Sequence, residues 1–508
     1  MQSRRKLTAL FAVLFLFMSL SWAGQQTAAQ QTREQALLRA FHGIQSATLY
    51  EHVREMTSDK YGGRLTGTEE YNLCARWAAE LLGKWGVRPA GHSGTFFQAF
   101  PNPYTLVFPG CELVLEIPWK SGVIRKSYKY EDEFIPGGTS ASGEVRAEVV
   151  YVGYGVSAPE LGYDDYGGVD VKGKVVLMEA EVPVRPDRDP ELFLKWRPHS
   201  FHQKKLETAH AKGARGMIYN YGPIGNPNNS YREGFIYSHV GTAVVEDVFA
   251  GTGKTHKDVV ALIAKTLKPQ SFATGKVVYL KNNTEHHPDG TGFNVVGLLP
   301  GSDPELEEEV IMLGGHLDHL GRLWELNPGA NDNASAVAVL LGVAEAMNRS
   351  EVKPRRPVMF VLFGAEEQGV AGSKYFTENP PLPLNDIAAF VNLDGVGVGE
   401  SINALAGGNF PEFMTYFEKA NSAYVHRPLT GPSFANLARP RLDAAWFLWK
   451  GVPTLSFSTS GGRSFYHVTK DDLSTINPEI LEDTARLLFM AVMDMAAADK
   501  LGFRPTVH

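Results

Sequence analysis

The sequence predicts an α/β fold: a mainly parallel central sheet flanked by helices, with a β-rich domain inserted into it. Three observations carry this. From Phe293 onward, near-continuous apolar runs at 310–313, 358–363, 388–393 and 454–457 alternate with helical segments. Between about 105 and 280 the pattern changes to short β-type runs bounded by Gly or charged residues. At 508 residues the chain is also long for a single hydrophobic core, so more than one domain is expected.

In chain order, Arg4, Arg5 and Lys6 precede an apolar run over 7–20, and Ser21-Trp22-Ala23 offers a small-residue cleavage site before Gly24. This reads as a signal peptide over 1–23. The run is short for a membrane span, and no other stretch is apolar enough to cross a bilayer. The expectation is an exported protein, periplasmic or secreted, with no stable membrane insertion after cleavage. With 44% hydrophobic and 21% charged residues the chain is globular, not disordered. Losing 1–23 would move the net charge from −7 to −10, because three cations and no acids go with it. An acidic exported protein is a poor partner for nucleic acid. Cys74 and Cys111 are the only cysteines, and their spacing leaves pairing open. No zinc–cysteine motif is present, so any metal must be held by His and carboxylate.

Residues 32–110 read as the first, largely helical part of the main domain. A helix over 69–85 carries Tyr71, Leu73, Cys74, Trp77, Ala78, Leu81, Leu82 and Trp85 at helical spacing, and Gly86 ends it. The loop 61–68 precedes it. The insertion is set at 111–285, with strands at 145–152, 174–178 and 216–219 and a helix over 203–212. Asn282 to His287 read as a linker, its two histidines as part of a solvated loop. The main domain resumes over 290–500, with helices at 334–347, from 373, and at 479–498. Fully apolar strands alternating with helices imply a sheet covered on both faces. Ligands in such folds bind at the carboxyl ends of the strands.

Those ends are where the chemistry lies. In Leu313-Gly314-Gly315-His316-Leu317-Asp318-His319 a strand delivers His316 to its tip. Asp318, two residues on, is placed to accept the ring's second N–H, and His319 is read as a supporting residue rather than a ligand. Gly329-Ala330-Asn331-Asp332-Asn333 opens a helix, where Asp and Asn are ordinary caps. A carboxylate there can also bridge two metals. Val361-Leu362-Phe363-Gly364-Ala365-Glu366-Glu367 ends an apolar strand in two adjacent carboxylates, which repel unless a cation or a proton offsets them. Asp394 follows another apolar run. His467 sits in a later loop, with Asp471 four residues on as its candidate orienting partner. Each motif alone has a bland reading; the order His, Asp, Glu-Glu, Asp, His over one α/β domain is what makes the set specific.

That set resembles the M28 family of co-catalytic zinc peptidases over about 293–500, and Arg64-Leu65-Thr66-Gly67 matches that family's R-x-x-G. The insertion resembles a protease-associated (PA) domain at 149–155, 170–177 and 209–216. The resemblance implies two zinc ions per chain: His316 and Asp394 on one, Glu367 and His467 on the other, Asp332 bridging. It also implies Glu366 as catalytic base, Asp318 as the His-orienting carboxylate, Tyr466 as a phenol for the oxyanion, and a cis peptide after Asp332. Ala336 departs from the usual Gly, and Asp472 from the usual Thr.

Two zinc ions sharing a water would lower its pKa and polarise a scissile carbonyl, with Glu366 moving the proton. The expected activity is that of an exopeptidase acting on peptides, an aminopeptidase first. A carboxypeptidase or dipeptidase of the same family is the alternative. Glutaminyl cyclase, which needs a single zinc, and a non-catalytic relative, which would have lost ligands, come last. Oligomeric state is not legible.

Overall fold

The computed structural model describes residues 30–503, apart from 121, 229, 431–432 and 434–441. The proposed signal peptide lies outside the described residues.

The main sheet has nine strands among the described residues, labelled here in chain order. They are β1 (Arg88–Pro89), β2 (Phe97–Pro101), β3 (Thr291–Leu299), β4 (Val310–His316), β5 (Val358–Phe363), β6 (Ile387–Leu393), β7 (Ser401–Leu405), β8 (Leu429–Thr430) and β9 (Thr454–Ser460). Their order is β1-β3-β5-β4-β6-β9-β7-β8, with β2 also paired to β3. The four central strands β5, β4, β6 and β9 are parallel. Towards the edges β3 runs antiparallel to β5, and β7 antiparallel to β9. The sheet is thus parallel where the site is built and mixed at its margins.

Alternation along the central strands explains why they read as continuously apolar. In β5, Val358, Phe360 and Leu362 enter one core, while Met359, Val361 and Phe363 enter another on the opposite face. A strand buried on both faces has no polar side to show. Helices α1 (Ser46–Met56), α3 (Ser335–Arg349) and α6 (Pro478–Ala497) pack together over the first face. Helices α4 (Ala371–Glu378) and α5 (Ala444–Trp449) supply Phe376 and Phe447 to the second. Helix α2 (Glu69–Lys84) is capped by the Thr68 side chain, which accepts the Tyr71 N–H. No helix among the described residues is long and apolar enough to cross a membrane.

The inserted segment forms its own eight-stranded sheet, drawn wholly from residues between Glu112 and Asn282. Three adjacent parallel pairings join Gly143–Tyr151, Val175–Glu179, Gly216–Asn220 and Ile236–Val240. Separate apolar clusters cover its two faces.

The expected linker is different in kind. Thr284–His287 is a strand, paired antiparallel with Tyr104–Val107 on the outgoing chain. Its histidines are occupied: His286 Nδ1 lies 2.9 Å from Thr105 Oγ1 and its ring stacks on Tyr231, while His287 stacks on Tyr104. The two crossings between the sheets are therefore one hydrogen-bonded ribbon. Pairing satisfies backbone groups that a free loop would leave to water. Cys74 and Cys111 are both free and buried, in separate clusters.

Candidate active site

The sheet's carboxyl edge gathers the predicted residues. His316 is the last residue of β4; Glu366 and Glu367 follow β5 after a Gly364-Ala365 turn; Asp394 follows β6. Gly364 must be glycine, since a Cβ there would sit 2.6 Å from both the Phe293 carbonyl oxygen and the Tyr71 hydroxyl. Asp332 lies in the turn before α3, and its peptide bond to Asn333 is cis. His467 comes from the loop after β9 and has a left-handed φ of 58°.

Asp332 stands between the two histidines. Its Oδ1 is 3.2 Å from His316 Nε2 and its Oδ2 is 3.3 Å from His467 Nε2. Asp394 Oδ2 is 3.6 Å from His316 Nε2, and Glu367 Oε2 is 2.9 Å from His467 Nε2. The five expected ligands thus form two half-sites that share one carboxylate. His316 Nε2 is buried and makes no hydrogen bond, as a ring nitrogen poised for a cation would be. Buried imidazole nitrogens and carboxylates facing a common centre are the donor set of a zinc-type ion.

The electrostatics point the same way. Burial disfavours charge on both histidines, yet the carboxylates of Asp332 and Asp394 hold His316 well above its ordinary pKa, and Glu367 and Asp332 do the same for His467. Burial, reinforced by Glu367, Asp443 and Asp394, pushes Glu366 well above the usual carboxylate range. Without a cation, the cluster keeps protons to balance its acids.

The supporting contacts differ from expectation at three points. His316 Nδ1 lies 3.1 Å from the backbone carbonyl oxygen of Asp318, whereas the Asp318 carboxylate is 3.7 Å away. That carboxylate instead accepts the N–H groups of Glu366 (3.1 Å) and Glu367 (3.3 Å), fixing the acid pair. Asp471 does not touch His467; it accepts the N–H groups of Asn331 (2.9 Å) and Asp332 (3.0 Å). The partner of His467 Nδ1 is the Gly225 carbonyl, 2.7 Å away in the inserted segment. The capping role weighed for the Asn331-Asp332-Asn333 run is not seen, as α3 has no side-chain cap. Asn331 Oδ1 accepts from Gly397 N and Asn333 Oδ1 from Gly395 N, tying the Asp332 turn to the Asp394 loop.

His319 Nδ1 lies 2.9 Å from Glu367 Oε1, and His319, Asp332 and Glu367 together form a group that could hold a metal ion. Tyr466 stacks on His467 with ring centroids 3.6 Å apart and is 52% exposed at the cleft. Arg64, fully buried, donates to the carbonyls of Leu317 (2.9 Å), Met56 (2.8 Å), Pro328 (2.7 Å) and Gly329 (2.8 Å). It thereby ties the loops behind His316 and before Asp332. Thr66 Oγ1 accepts the Ala365 N–H, which secures the Glu366 turn.

One residue escaped the sequence reading. Asp443 is buried at the start of α5, and burial pushes its carboxyl up to about 7. Its only local signal is an acid directly before the apolar run Ala444–Trp449.

The site opens into a cleft of about 480 Å³. One wall is the acid cluster with Val370, Leu442, Trp446 and Trp449; the other comes from the inserted segment, including Arg197, Phe201, His202, Tyr221 and Asn228.

A helix-covered α/β sheet whose carboxyl edge carries such a cluster defines a metal-dependent hydrolase framework. Residues 294–492 match the family model of Peptidase family M28, and this part of the chain is an M28 peptidase domain. An aminopeptidase of Pseudomonas aeruginosa (strain UCBPP-PA14) is 26% identical over 368 residues, 72% of this chain; the chain spans 59% of that relative's length. Two solved structures share the fold. The aminopeptidase of Aneurinibacillus sp. strain AM-1 aligns with a TM-score of 0.63 at 19% identity, covering 92% of this chain and 98% of its own. A zinc aminopeptidase from Bacillus subtilis aligns at 0.56 and 17%, covering 89% and 95%.

Proposed function

We propose that the protein is an exported zinc-dependent aminopeptidase with a dinuclear centre and Glu366 as its general base. The observation that carries this is the placing of Asp332, one oxygen towards each histidine, with Glu366 beside it in the same cleft. The Pseudomonas aeruginosa relative is an aminopeptidase, which agrees with this reading.

His316, Asp332 and Asp394 would hold one zinc, and Asp332, Glu367 and His467 the other. Bound there, the zinc pair would polarise the scissile carbonyl and make an attacking water acidic. Glu366, which none of these ligand assignments uses, takes the water's proton on its carboxylate and hands it to the departing amine. Asp318 holds the Glu366 and Glu367 amides, so the base and its neighbouring ligand move as one unit. Tyr466 reaches the cleft beside His467, where its hydroxyl can donate to the oxyanion.

The choice of terminus rests on the aminopeptidase activity of the Pseudomonas aeruginosa relative. The zinc ions would offset Asp332, Glu367 and Asp394, which leaves Glu181 against Arg197 in the lining outside the centre. The segment 111–285, read as a PA domain, supplies the facing wall and limits substrate length.

A panel of aminoacyl-anilides, N-acetylated peptides and dipeptides, with and without chelator, tests the reading. Chelator-sensitive cleavage of the free-amine substrates alone is expected. Cleavage of the N-acetylated peptides would move the assignment to a carboxypeptidase.

A further inference from the structure

Four of the five ligands are held by the peptidase domain itself. His316 leans on the Asp318 carbonyl, the Asp332 amide on Asp471, Glu367 on Asp318 and His319, and the Asp394 amide on the Phe457 carbonyl. His467 is different: its ring is fixed from the inserted segment. Its Nδ1 donates to the Gly225 carbonyl at 2.7 Å, and the Gly225 N–H returns to the His467 carbonyl at 2.9 Å. Two residues on, the N–H and hydroxyl of Thr469 donate to the Glu131 carboxylate at 2.7 and 2.8 Å. Gly225 and Glu131 both lie in the inserted segment, 242 and 338 residues from their respective partners.

The approach is close-fitting. A Cβ on Gly225 would lie 2.4 Å from Leu323 Cδ1 and 2.7 Å from Leu320 Cδ1. These leucines cluster with Val107, Cys111 and Ile135 at the root of the ribbon that joins the two sheets. A side chain at position 225 would have to push both leucine ends aside.

A ligating histidine works through the nitrogen that lacks the proton, so a carbonyl on Nδ1 sets Nε2 free for metal and fixes the ring plane. We propose that the inserted domain is a working part of the metal centre: by seating Gly225 and Glu131 on the His467 loop it sets the metal affinity of the Glu367–His467 half-site, leaving the His316–Asp394 half-site untouched. Gly225 and Glu131 are positioning residues in this account. Unseating the insertion would then empty one half of the centre. The inference rests on the dinuclear reading given above.

The test is zinc affinity, not turnover. Zinc-free full-length protein and the variants Glu131→Ala, Thr469→Val, Thr469→Ser and Gly225→Ala are titrated with zinc by calorimetry. Zinc per chain is then measured after dialysis against graded chelator, with near-UV circular dichroism to confirm folding. The wild type should bind two equivalents. Glu131→Ala and Thr469→Val should keep one tight site and weaken the other by about tenfold or more, the usual effect of losing such a partner. Thr469→Ser, which keeps the hydroxyl, should hold both affinities near wild type. Folded Glu131→Ala and Thr469→Val proteins with two wild-type affinities would overturn this inference alone. A wild type binding fewer than two equivalents would overturn the dinuclear reading and this inference with it. If Gly225→Ala does not fold, the Glu131 and Thr469 variants decide.

Discussion

Asp471 holds Asp332 by its backbone: the carboxylate accepts the Asp332 N–H at 3.0 Å and, on its other oxygen, the Asn331 N–H at 2.9 Å. Asp332, the proposed bridging acid, is therefore aimed by a second acid from the loop that also carries His467. Asp471→Ala leaves two amide N–H groups without their acceptor in a nearly closed site. We expect a loss of about 3 kcal/mol of stability, read from urea denaturation, and reduced zinc per chain in the folded fraction. Asp471→Asn, which keeps one acceptor oxygen, should fall between.

Arg64 acts on the same turn from below. Its guanidinium satisfies carbonyls of both the His316 loop and the Asp332 turn, including Gly329 265 residues away in the chain. Arg64→Met removes a buried cation and leaves four carbonyls without that donor. The expected cost is at least about 3 kcal/mol, seen as a lower urea midpoint. An unchanged midpoint would show that the carbonyls find other donors.

Glu366→Gln separates chemistry from binding. The amide keeps the shape of the side chain and cannot take a proton from water. Turnover should fall about 10²–10⁴-fold, while zinc content and thermal stability stay near wild type. Loss of zinc with activity would make Glu366 a ligand.

A pH dependence follows from His239, buried among Tyr219, Tyr221 and Tyr237 with Nδ1 on the Ile224 carbonyl, next to Gly225. Burial lowers its pKa from 6.5 to about 4, so the folded protein keeps this ring neutral while the unfolded chain protonates it. The unfolded state binds more protons between those values. This stabilisation is full above pH 6.5 and is lost as the pH falls towards 4, by about 3 kcal/mol at most. The difference in urea midpoint between wild type and His239→Phe should shift against wild type as the pH drops through that window. Parallel curves would mean that His239 titrates normally.

Much of this was legible because apolar strands announce their own ends. His316, Glu366, Glu367 and Asp394 each follow such a run, and β5 begins and ends where its apolar run does. What was not legible is whatever partners a residue from far along the chain. Asp471 looked like the partner of His467 because it is four residues away, but the fold turns it to Asp332 and gives His467 a carbonyl 242 residues upstream. A backbone carbonyl leaves no trace in residue type, so Gly225 could not be found that way. The strand at Thr284–His287 was hidden for a related reason. Its polar, His-rich sequence lacks alternation, and pairing with Tyr104–Val107 decides its conformation.

The most direct test of the central claim is anomalous X-ray diffraction at the zinc edge from crystals of the zinc-loaded protein. The account predicts two peaks, one among His316, Asp332 and Asp394, the other among Asp332, Glu367 and His467. A single peak, or a peak at the site that excludes Asp332, would contradict it.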